Sequence, residues 1–136
     1  MIYDNLSVNS QGHLVFAGYD TLDLAEKFGT ALYVMDENRI RQRCREYKTA
    51  MAAYLPAGSR PLYASKAMSI KRIYQIMTEE NMGVDVVSPG ELYTAVKAGF
   101  PMEHAYFHGS SKTDADIRFA MEHMEKFIRK ILDEKK

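Results

Sequence analysis

Short apolar runs alternate with amphipathic stretches along most of this 136-residue chain. Apolar runs begin near residues 31, 61, 83 and 105, and after each run apolar residues recur at intervals of three and four, which is typical of a helix. Each run with its following helix predicts one βα unit. Four such units in succession favour an α/β fold with a parallel sheet and right-handed crossovers.

Polar residues at the right offsets predict where these helices begin. Asp36 is a good N-cap for the helix that follows the first run, and Thr113 caps the last helix. Ser88 and Glu91 have the spacing of a capping box, with Pro89 at the first helical position between them. These signals fix the predicted helix starts independently of the apolar pattern.

The first thirty residues follow a different pattern. Residues 13–17 read as a short strand, and residues 20–29 read as a short helix closed by Gly29. The predicted organisation is therefore an N-terminal segment, residues 1–30, followed by the four βα units in residues 31–123.

Composition narrows the class of protein. Apolar residues make up 46% and charged residues 26%, and 18 Lys and Arg balance 18 Asp and Glu, so no net charge attracts nucleic acid or an anionic membrane. No apolar run approaches the roughly 20 residues of a membrane span, and the N-terminus lacks the pattern of a signal peptide. The single Cys44 falls on an apolar helix stripe, where packing is expected. These features predict a cytoplasmic protein.

Three polar residues lie where the predicted parallel strands end. Lys66 follows the second strand, Asp85 lies in the third and His108 ends the fourth, and on an extended strand Lys66 would share a face with Leu62 and Ala64. Ligands of parallel α/β sheets bind at the carboxyl ends of strands, and neighbouring strands are about 4.8 Å apart. The three side chains could therefore converge on one small molecule.

Each of these residues also has an interpretation without chemistry. Lys66 in a partly apolar niche would favour the neutral amine that forms imines, but a lysine at a sheet edge can equally extend to solvent. Asp85 could bond loop amides, His108 could be a turn residue, and the capping box explains Glu91. The residues alone lead to a ligand-binding α/β sheet with a candidate imine-forming lysine.

Three ordered motifs resemble one family. They are "YASKA" around Lys66, "DVVSPGELYTAVKAGFP" at 85–101 and "YFHGSSKTDADI" at 106–117. Together they resemble the barrel of diaminopimelate decarboxylase, a pyridoxal-phosphate-dependent enzyme of the alanine-racemase-like, fold-type III class. The N-terminal stretches "DNLSVNSQGHLVFAG" and "GTALYVMDENRIRQRCREYKTAM" are similar too, so the likeness covers roughly residues 1–123.

The resemblance implies a fold, a cofactor and roles for the site residues. The fold would be part of a (β/α)8 barrel, and Lys66 would be the catalytic residue that forms an imine with pyridoxal phosphate. Asp85 and Glu91 match acidic catalytic positions near that lysine, and Asp85 and His108 would contact the cofactor; no metal is implied. The family reaction removes carbon dioxide from meso-diaminopimelate, a small amino acid, to give L-lysine, with the cofactor ring as electron sink.

The chain departs from the family pattern at two places. Ser88-Pro89-Gly90-Glu91 stands where the family usually has Ser-Gly-Gly-Glu, and proline suits the first turn of a helix. After "DADIRFAMEH" the family turns toward a fifth strand, whereas this chain continues "MEKFIRKILDEKK". Apolar residues extend the helical stripe there, which predicts a non-family helical extension over residues 124–136: Met124, Phe127, Ile128, Ile131 and Leu132.

These departures predict a half-barrel fragment without turnover. In the family, later strands hold the cofactor phosphate and the pyridine nitrogen, and a β-domain completes the site across a dimer interface. The alternative is a truncated or engineered half-barrel scaffold with no cofactor and no catalytic function. Four parallel strands would leave two unpaired sheet edges, which favours either a homodimer or an open sheet covered by the N-terminal segment and the last helix.

Overall fold

A computed structural model describes the backbone of residues 3–134 and the side chains of residues 3–124. The chain divides into two compact units, Met1–Ile40 and Arg41–Lys136. Each unit is described by itself below. In the part of the chain that the structure describes, no helix combines the length and the apolar character needed to cross a membrane.

The first unit contains an antiparallel sheet and one helix. Its strands β1 (Leu6–Val8), β2 (Leu14–Phe16) and β3 (Tyr19–Asp20) are joined in the order β1-β2-β3, and helix α1 (Thr21–Phe28) follows directly. The predicted strand at 13–17 and the predicted helix at 20–29 are confirmed.

Both ends of α1 are capped by the chain itself. The Asp20 carboxylate accepts a hydrogen bond of 2.8 Å from the Leu22 N–H, and the Gly29 N–H donates to the Ala25 carbonyl. Gly29 has a φ of 81°, in the left-handed region where glycine has no side chain to clash. Asp20 also accepts from Asn9 at 2.7 Å. A hydrogen bond with His13 is the main cause that lowers the pKa of Asp20.

The predicted strand at 31–35 is wrong for this structure. The described strands do not include this run, although its side chains are apolar. Four of its side chains are exposed instead: Leu32, Tyr33, Val34 and Met35. A strand exists only where backbone N–H and C=O groups meet a partner strand, and apolar composition does not supply that partner. The described residues therefore contain three parallel strands where four were predicted.

Helix α2 (Glu37–Tyr54) begins where the sequence predicts. The Asp36 carboxylate accepts from the Arg39 N–H at 3.1 Å, as expected of an N-cap. Farther along α2, in the second unit, Cys44 is 4% exposed and its Sγ lies 3.9 Å from the Met77 sulfur. Burial raises the pKa of the Cys44 thiol, so this cysteine is a packing residue, as predicted.

The second unit is built around a parallel sheet of three strands. Strands β4 (Leu62–Ala64), β5 (Gly83–Val86) and β6 (Ala105–Phe107) are joined in the order β4-β5-β6. Helices α3 (Lys71–Glu79), α4 (Pro89–Lys97) and α5 (Asp114–Glu134) follow the strands in turn. Two short 3₁₀ turns complete the elements, Ser65–Ala67 and Met102–His104.

The core of this unit lies between the middle strand and the helices that flank it. One face of α3 is buried, with Ile73, Ile76 and Met77 at most 2% exposed. Val84 and Val86 of β5 are completely buried. Packing of this stripe against β5 supplies the apolar burial that holds the sheet and helices together.

Only the first part of helix α5 has described side chains, so only that part of the predicted C-terminal stripe can be compared with the structure. Thr113 and Asp116 cap its start reciprocally, since each side chain accepts the other residue's backbone N–H. Ala120 is buried, whereas Ile117 and Met121 are about half exposed. The remaining stripe residues lie outside the described side chains: Phe127, Ile128, Ile131 and Leu132. The extension at 124–136 stays a prediction.

A buried carboxylate joins α2 to the end of α3. The Glu80 side chain is 6% exposed and accepts hydrogen bonds from Arg45 at 2.7 and 3.0 Å and from Arg41 at 3.1 Å. Lys48 Nζ lies 3.9 Å from the same carboxylate. The hydrogen bond with Arg45 is the main cause that holds the pKa of Glu80 below its usual value.

We predict that Glu80→Ala lowers the free energy of unfolding by about 2 kcal/mol, since charged hydrogen bonds of a buried group are lost. Because the folded pKa of Glu80 is depressed, this contribution is present at neutral pH and is lost as the pH falls through that pKa. Denaturant melts at pH 7 and under acid conditions measure both effects.

Glu46→Ala is the matched control, because Glu46 pairs with Arg43 on the exposed face of α2. Removal of that pair should cost at most about 0.5 kcal/mol. Equal losses in the two variants would contradict a special role of the buried carboxylate.

Candidate functional site

The register of the parallel sheet aligns the predicted site residues at one edge. Ala64, Asp85 and Tyr106 are direct neighbours across β4, β5 and β6. Lys66 follows Ala64 by two residues, and His108 follows Tyr106 by two residues. Lys66 and His108 therefore leave the two outer strands at the carboxyl edge, with the strand of Asp85 between them.

Lys66 follows the second predicted strand, as the sequence indicates. Strand β4 ends at Ala64, and Lys66 lies in the middle of the 3₁₀ turn Ser65–Ala67, where its side chain is exposed. Because it lies on a turn, Lys66 does not share a strand face with Leu62, and of the two environments left open, a partly apolar niche and an extension to solvent, the structure has the second. The turn provides an amine accessible from solvent at the carboxyl edge of the sheet.

Asp85 and His108 are in direct contact. The His108 Nδ1 lies 2.9 Å from the Asp85 Oδ1, with the two side chains 68% and 25% exposed. The His108 backbone N–H also donates to the Val86 carbonyl at 3.1 Å, which ties the residue to β5. Since a carboxylate only accepts, this contact favours a proton on Nδ1 and leaves Nε2 available to a ligand.

Glu91 is held among three hydrogen-bond donors. Its Oε2 accepts from the Ser65 hydroxyl at 2.5 Å and from the Val87 N–H at 2.9 Å, and its Oε1 accepts from the Ser88 hydroxyl at 3.1 Å. Burial by itself raises the pKa of Glu91, but the hydrogen bonds from Ser65, Val87 and Ser88 outweigh it and hold the pKa below its usual value.

The capping box at the start of α4 forms only in part. The Ser88 hydroxyl accepts from the Glu91 N–H at 3.2 Å, as predicted. The Glu91 carboxylate does not return to the Ser88 N–H, because it bonds Val87 and Ser65 instead. The helical cap therefore explains the position of Glu91 incompletely, and the rest of its contacts point to the turn that carries Lys66.

Sequence reasoning missed Ser65 and Lys112. Ser65 is completely buried. The only feature of the sequence that could have indicated it is its position directly before Lys66. Lys112 Nζ donates to the Val87 carbonyl at 2.5 Å and lies 4.5 Å from the centre of the Phe107 ring. A side chain at Gly109, where φ is 127°, would meet Lys112 Nζ at 2.8 Å, so glycine lets this loop fold back over β5.

These groups fit the aldehyde end of pyridoxal phosphate. Lys66 offers an exposed amine, and the Asp85–His108 pair offers a carboxylate and an imidazole on neighbouring strand ends. The start of α4 is a less suitable place for a phosphate, because the Ser88 hydroxyl accepts from the Glu91 N–H and the Glu91 carboxylate accepts from the Val87 N–H just before the helix. Among the described residues, no group of three or more His, Cys, Asp and Glu could hold a metal ion.

Comparison with known proteins gives a family match. Residues 37–130 match the family described as pyridoxal-dependent decarboxylase, pyridoxal binding domain. The chain is 49% identical over 117 residues to diaminopimelate decarboxylase of Bacillus subtilis, which covers 85% of this chain and 26% of that protein. The same enzyme of Methanothermobacter thermautotrophicus is 38% identical over 122 residues, which cover 89% of this chain and 28% of that protein.

A solved structure shows the same likeness in three dimensions. Diaminopimelate decarboxylase of M. jannaschii in complex with L-lysine aligns with a TM-score of 0.77 at 34% identity, over 88% of this chain and 28% of that one. The chain thus spans about a quarter of the length of the relatives that it matches. The parallel sheet and its helices correspond to part of their barrel domain.

We predict that Asp85→Ala shifts His108 from the Nδ1–H tautomer toward the mixture of a solvent-exposed histidine, because the acceptor at Nδ1 is lost. Nitrogen NMR of the imidazole rings measures this change. His123 is the internal control, since its Nδ1 lies 2.9 Å from the Phe119 carbonyl and should keep its proton in both proteins. An unchanged His108 spectrum would show that Asp85 does not set the tautomer.

Proposed function

Because the chain belongs to the pyridoxal-dependent decarboxylase family, with its match in the pyridoxal-binding domain, we propose that it is the lysine-bearing part of a diaminopimelate decarboxylase. The reaction of that enzyme converts meso-diaminopimelate to L-lysine and carbon dioxide. The observation that carries the proposal is the placement of Lys66 on an exposed turn at the carboxyl edge of the parallel sheet. In parallel α/β folds this is the edge where ligands bind.

The cofactor contributes chemistry that the side chains lack. When bound, pyridoxal phosphate supplies an aldehyde for an amine and a ring that accepts the electron pair left by departing carbon dioxide. Lys66 supplies the amine. Asp85 orients His108 through the 2.9 Å hydrogen bond, and His108 presents Nε2 to the bound molecule as a contact that can carry a proton.

For the fold, the proposal is that the βα units of the second unit are part of a (β/α)8-type barrel, to whose barrel domain the comparisons align this chain. A cytoplasmic location and amino-acid substrates belong to the same proposal. The M. jannaschii relative was solved with L-lysine, which is consistent with an amino-acid ligand for this family.

We predict that pyridoxal phosphate followed by borohydride modifies Lys66 in preference to the other lysines. The amine condenses with the aldehyde with loss of water, and borohydride reduces the resulting C=N bond to a stable C–N bond. Peptide mass spectrometry locates the modification. Lys66→Ala should remove it, whereas Lys71→Ala, which alters an exposed lysine nearby at the start of α3, should not.

Modification spread evenly over the exposed lysines, with no preference for Lys66, would contradict the proposal. That result would instead support a half-barrel scaffold with no cofactor. We expect no release of carbon dioxide from diaminopimelate by the 136-residue chain tested alone, since it corresponds to about a quarter of the length of its relatives. Release that depends on Lys66 would overturn this part of the proposal.

We also propose that the chain forms a homodimer through its sheet edges. Strands β4 and β6 each have one neighbour in the described sheet, and Leu62 and Tyr106 are 43% and 57% exposed. Unpaired edges with apolar side chains favour association. Light scattering after gel filtration should give twice the monomer mass.

Tyr106→Lys should shift this equilibrium toward monomer, because a charge on an edge strand opposes pairing. Tyr54→Lys is the control, since Tyr54 is 87% exposed at the end of α2, away from the sheet edges in sequence. A monomeric wild-type protein at all concentrations would reject the dimer.

A further inference from the structure

We propose that Ser65 and Glu91 are positioning residues that fix the turn carrying Lys66. The inference rests on the proposed function of Lys66, and it assigns a role to a serine that the family resemblance left unassigned. Neither residue is proposed to touch the reacting atoms. Their effect on Lys66 passes through the backbone of the Ser65–Ala67 turn.

Ser65 is buried and yet bonded to a charge. It is completely inaccessible, with its Oγ 2.5 Å from the Glu91 Oε2 and 2.9 Å from the Asp85 carbonyl oxygen. A hydroxyl has one proton, and bonds to a carboxylate are stronger than bonds to a neutral carbonyl. Ser65 therefore donates mainly to Glu91. Without Glu91 the buried hydroxyl would keep only the weaker neutral acceptor at the Asp85 carbonyl, so the charged bond favours the observed turn.

Glu91 is a fixed anchor for that bond. Val87 and Ser88 donate to its carboxylate, and Ser88 also accepts from its backbone N–H. On the other side, the Tyr74 hydroxyl donates to the Glu91 carbonyl at 3.1 Å, and Tyr74 itself is completely buried. Hydrogen bonds thus hold both the side chain and the backbone of Glu91. Its carboxylate in turn fixes the position of the Ser65 hydroxyl.

The same hydrogen-bond system reaches the far end of the turn. The Ser69 Oγ lies 2.9 Å from the Tyr74 hydroxyl, and because Tyr74 donates its one proton to Glu91, Ser69 is the donor. The Tyr63 hydroxyl donates to the Met68 carbonyl at 3.1 Å, between these two serines. The network therefore contacts the chain at 65 and 69, and the separate bond from Tyr63 holds the chain at 68.

Lys66 lies within this held segment and is itself exposed. The network fixes the backbone from which the amine projects and leaves the side chain free to reach an aldehyde. Placement of a reacting group in advance lowers the entropic cost of reaction, and a displacement of about 1 Å can reduce a rate ~100-fold. A buried network that served stability alone would have no effect on the reactivity of Lys66 beyond its effect on folding.

The test measures Lys66 modification and stability in the same variants. Ser65→Ala removes the hydroxyl, and we expect the rate of Lys66 modification by pyridoxal phosphate and borohydride to fall by about tenfold relative to the other lysines. The melting temperature reports the stability separately. Thr94→Ala is the matched control, because its hydroxyl donates to Gly90 within α4, outside the network, and its removal should leave the Lys66 rate unchanged.

Two substitutions of Glu91 separate positioning from charge. Glu91→Gln retains an oxygen that can accept from Ser65 or Val87, so it should keep most of the Lys66 reactivity, whereas Glu91→Ala should lose it as Ser65→Ala does. If Glu91→Gln loses as much Lys66 reactivity as Glu91→Ala, the carboxylate acts through its charge, and if neither variant loses reactivity, Glu91 has no effect on Lys66. Either result overturns the positioning role.

The outcome also distinguishes this inference from the proposed function. A wild-type protein without preferential modification of Lys66 defeats the proposed function. Preferential modification in the wild type that persists in folded Ser65→Ala defeats the positioning role alone. If Ser65→Ala does not fold, the Glu91→Gln and Glu91→Ala pair decides the question, since the Lys66 rate is compared between folded proteins.

Discussion

The carboxylate of Glu91 is the interaction on which the candidate site depends. It accepts hydrogen bonds from the serine that follows β4, from the backbone N–H that follows β5 and from the serine that caps α4. Two adjacent strand ends and a helix start are thereby held together at one half-buried group. A neutral or shorter side chain would leave at least one of these donors without a strong acceptor, and each lost bond costs free energy in a partly buried setting.

At the carboxyl edge, the residues that hold the backbone in place are different from the residues that can react with a ligand. The groups that hold the turn are buried, such as Ser65 and Tyr74, whereas the groups able to meet a ligand are exposed, such as Lys66 and His108. The division is what a site for a covalently bound cofactor needs, because the amine must be accessible while its backbone stays in place. The Asp85–His108 pair follows the same principle, since the less exposed carboxylate orients the more exposed imidazole.

Packing in the rest of the second unit fixes the strands that form this edge. Val84 and Val86 place β5 against α3 and α4, so Asp85, which alternates with them, faces the opposite side of the sheet. The Glu80 cluster ties α2 to the end of α3, next to the beginning of β5. The buried residues of β5 therefore determine the face of the sheet on which Asp85 lies.

Local sequence determined most of the elements, because their causes are local. Caps at Asp36, Ser88 and Thr113 are bonds between residues three apart, and the α3 stripe follows from helical period alone. Order along the chain also brought Lys66, Asp85 and His108 to one edge of a parallel sheet. The family was visible in the motifs around the same residues, and the match over residues 37–130 confirmed it.

Tertiary structure decided what depends on partners distant in the chain. The apolar run 31–35 has the composition of a strand without the pairing, and the residues after β4 form a 3₁₀ turn that carries Lys66. The bond between Ser65 and Glu91 joins residues 26 positions apart, so no capping rule could reveal that the carboxylate serves the lysine turn as well as its own helix. Local pattern sets which conformation a segment prefers, but pairing and burial across the chain select where it stops and which groups it meets.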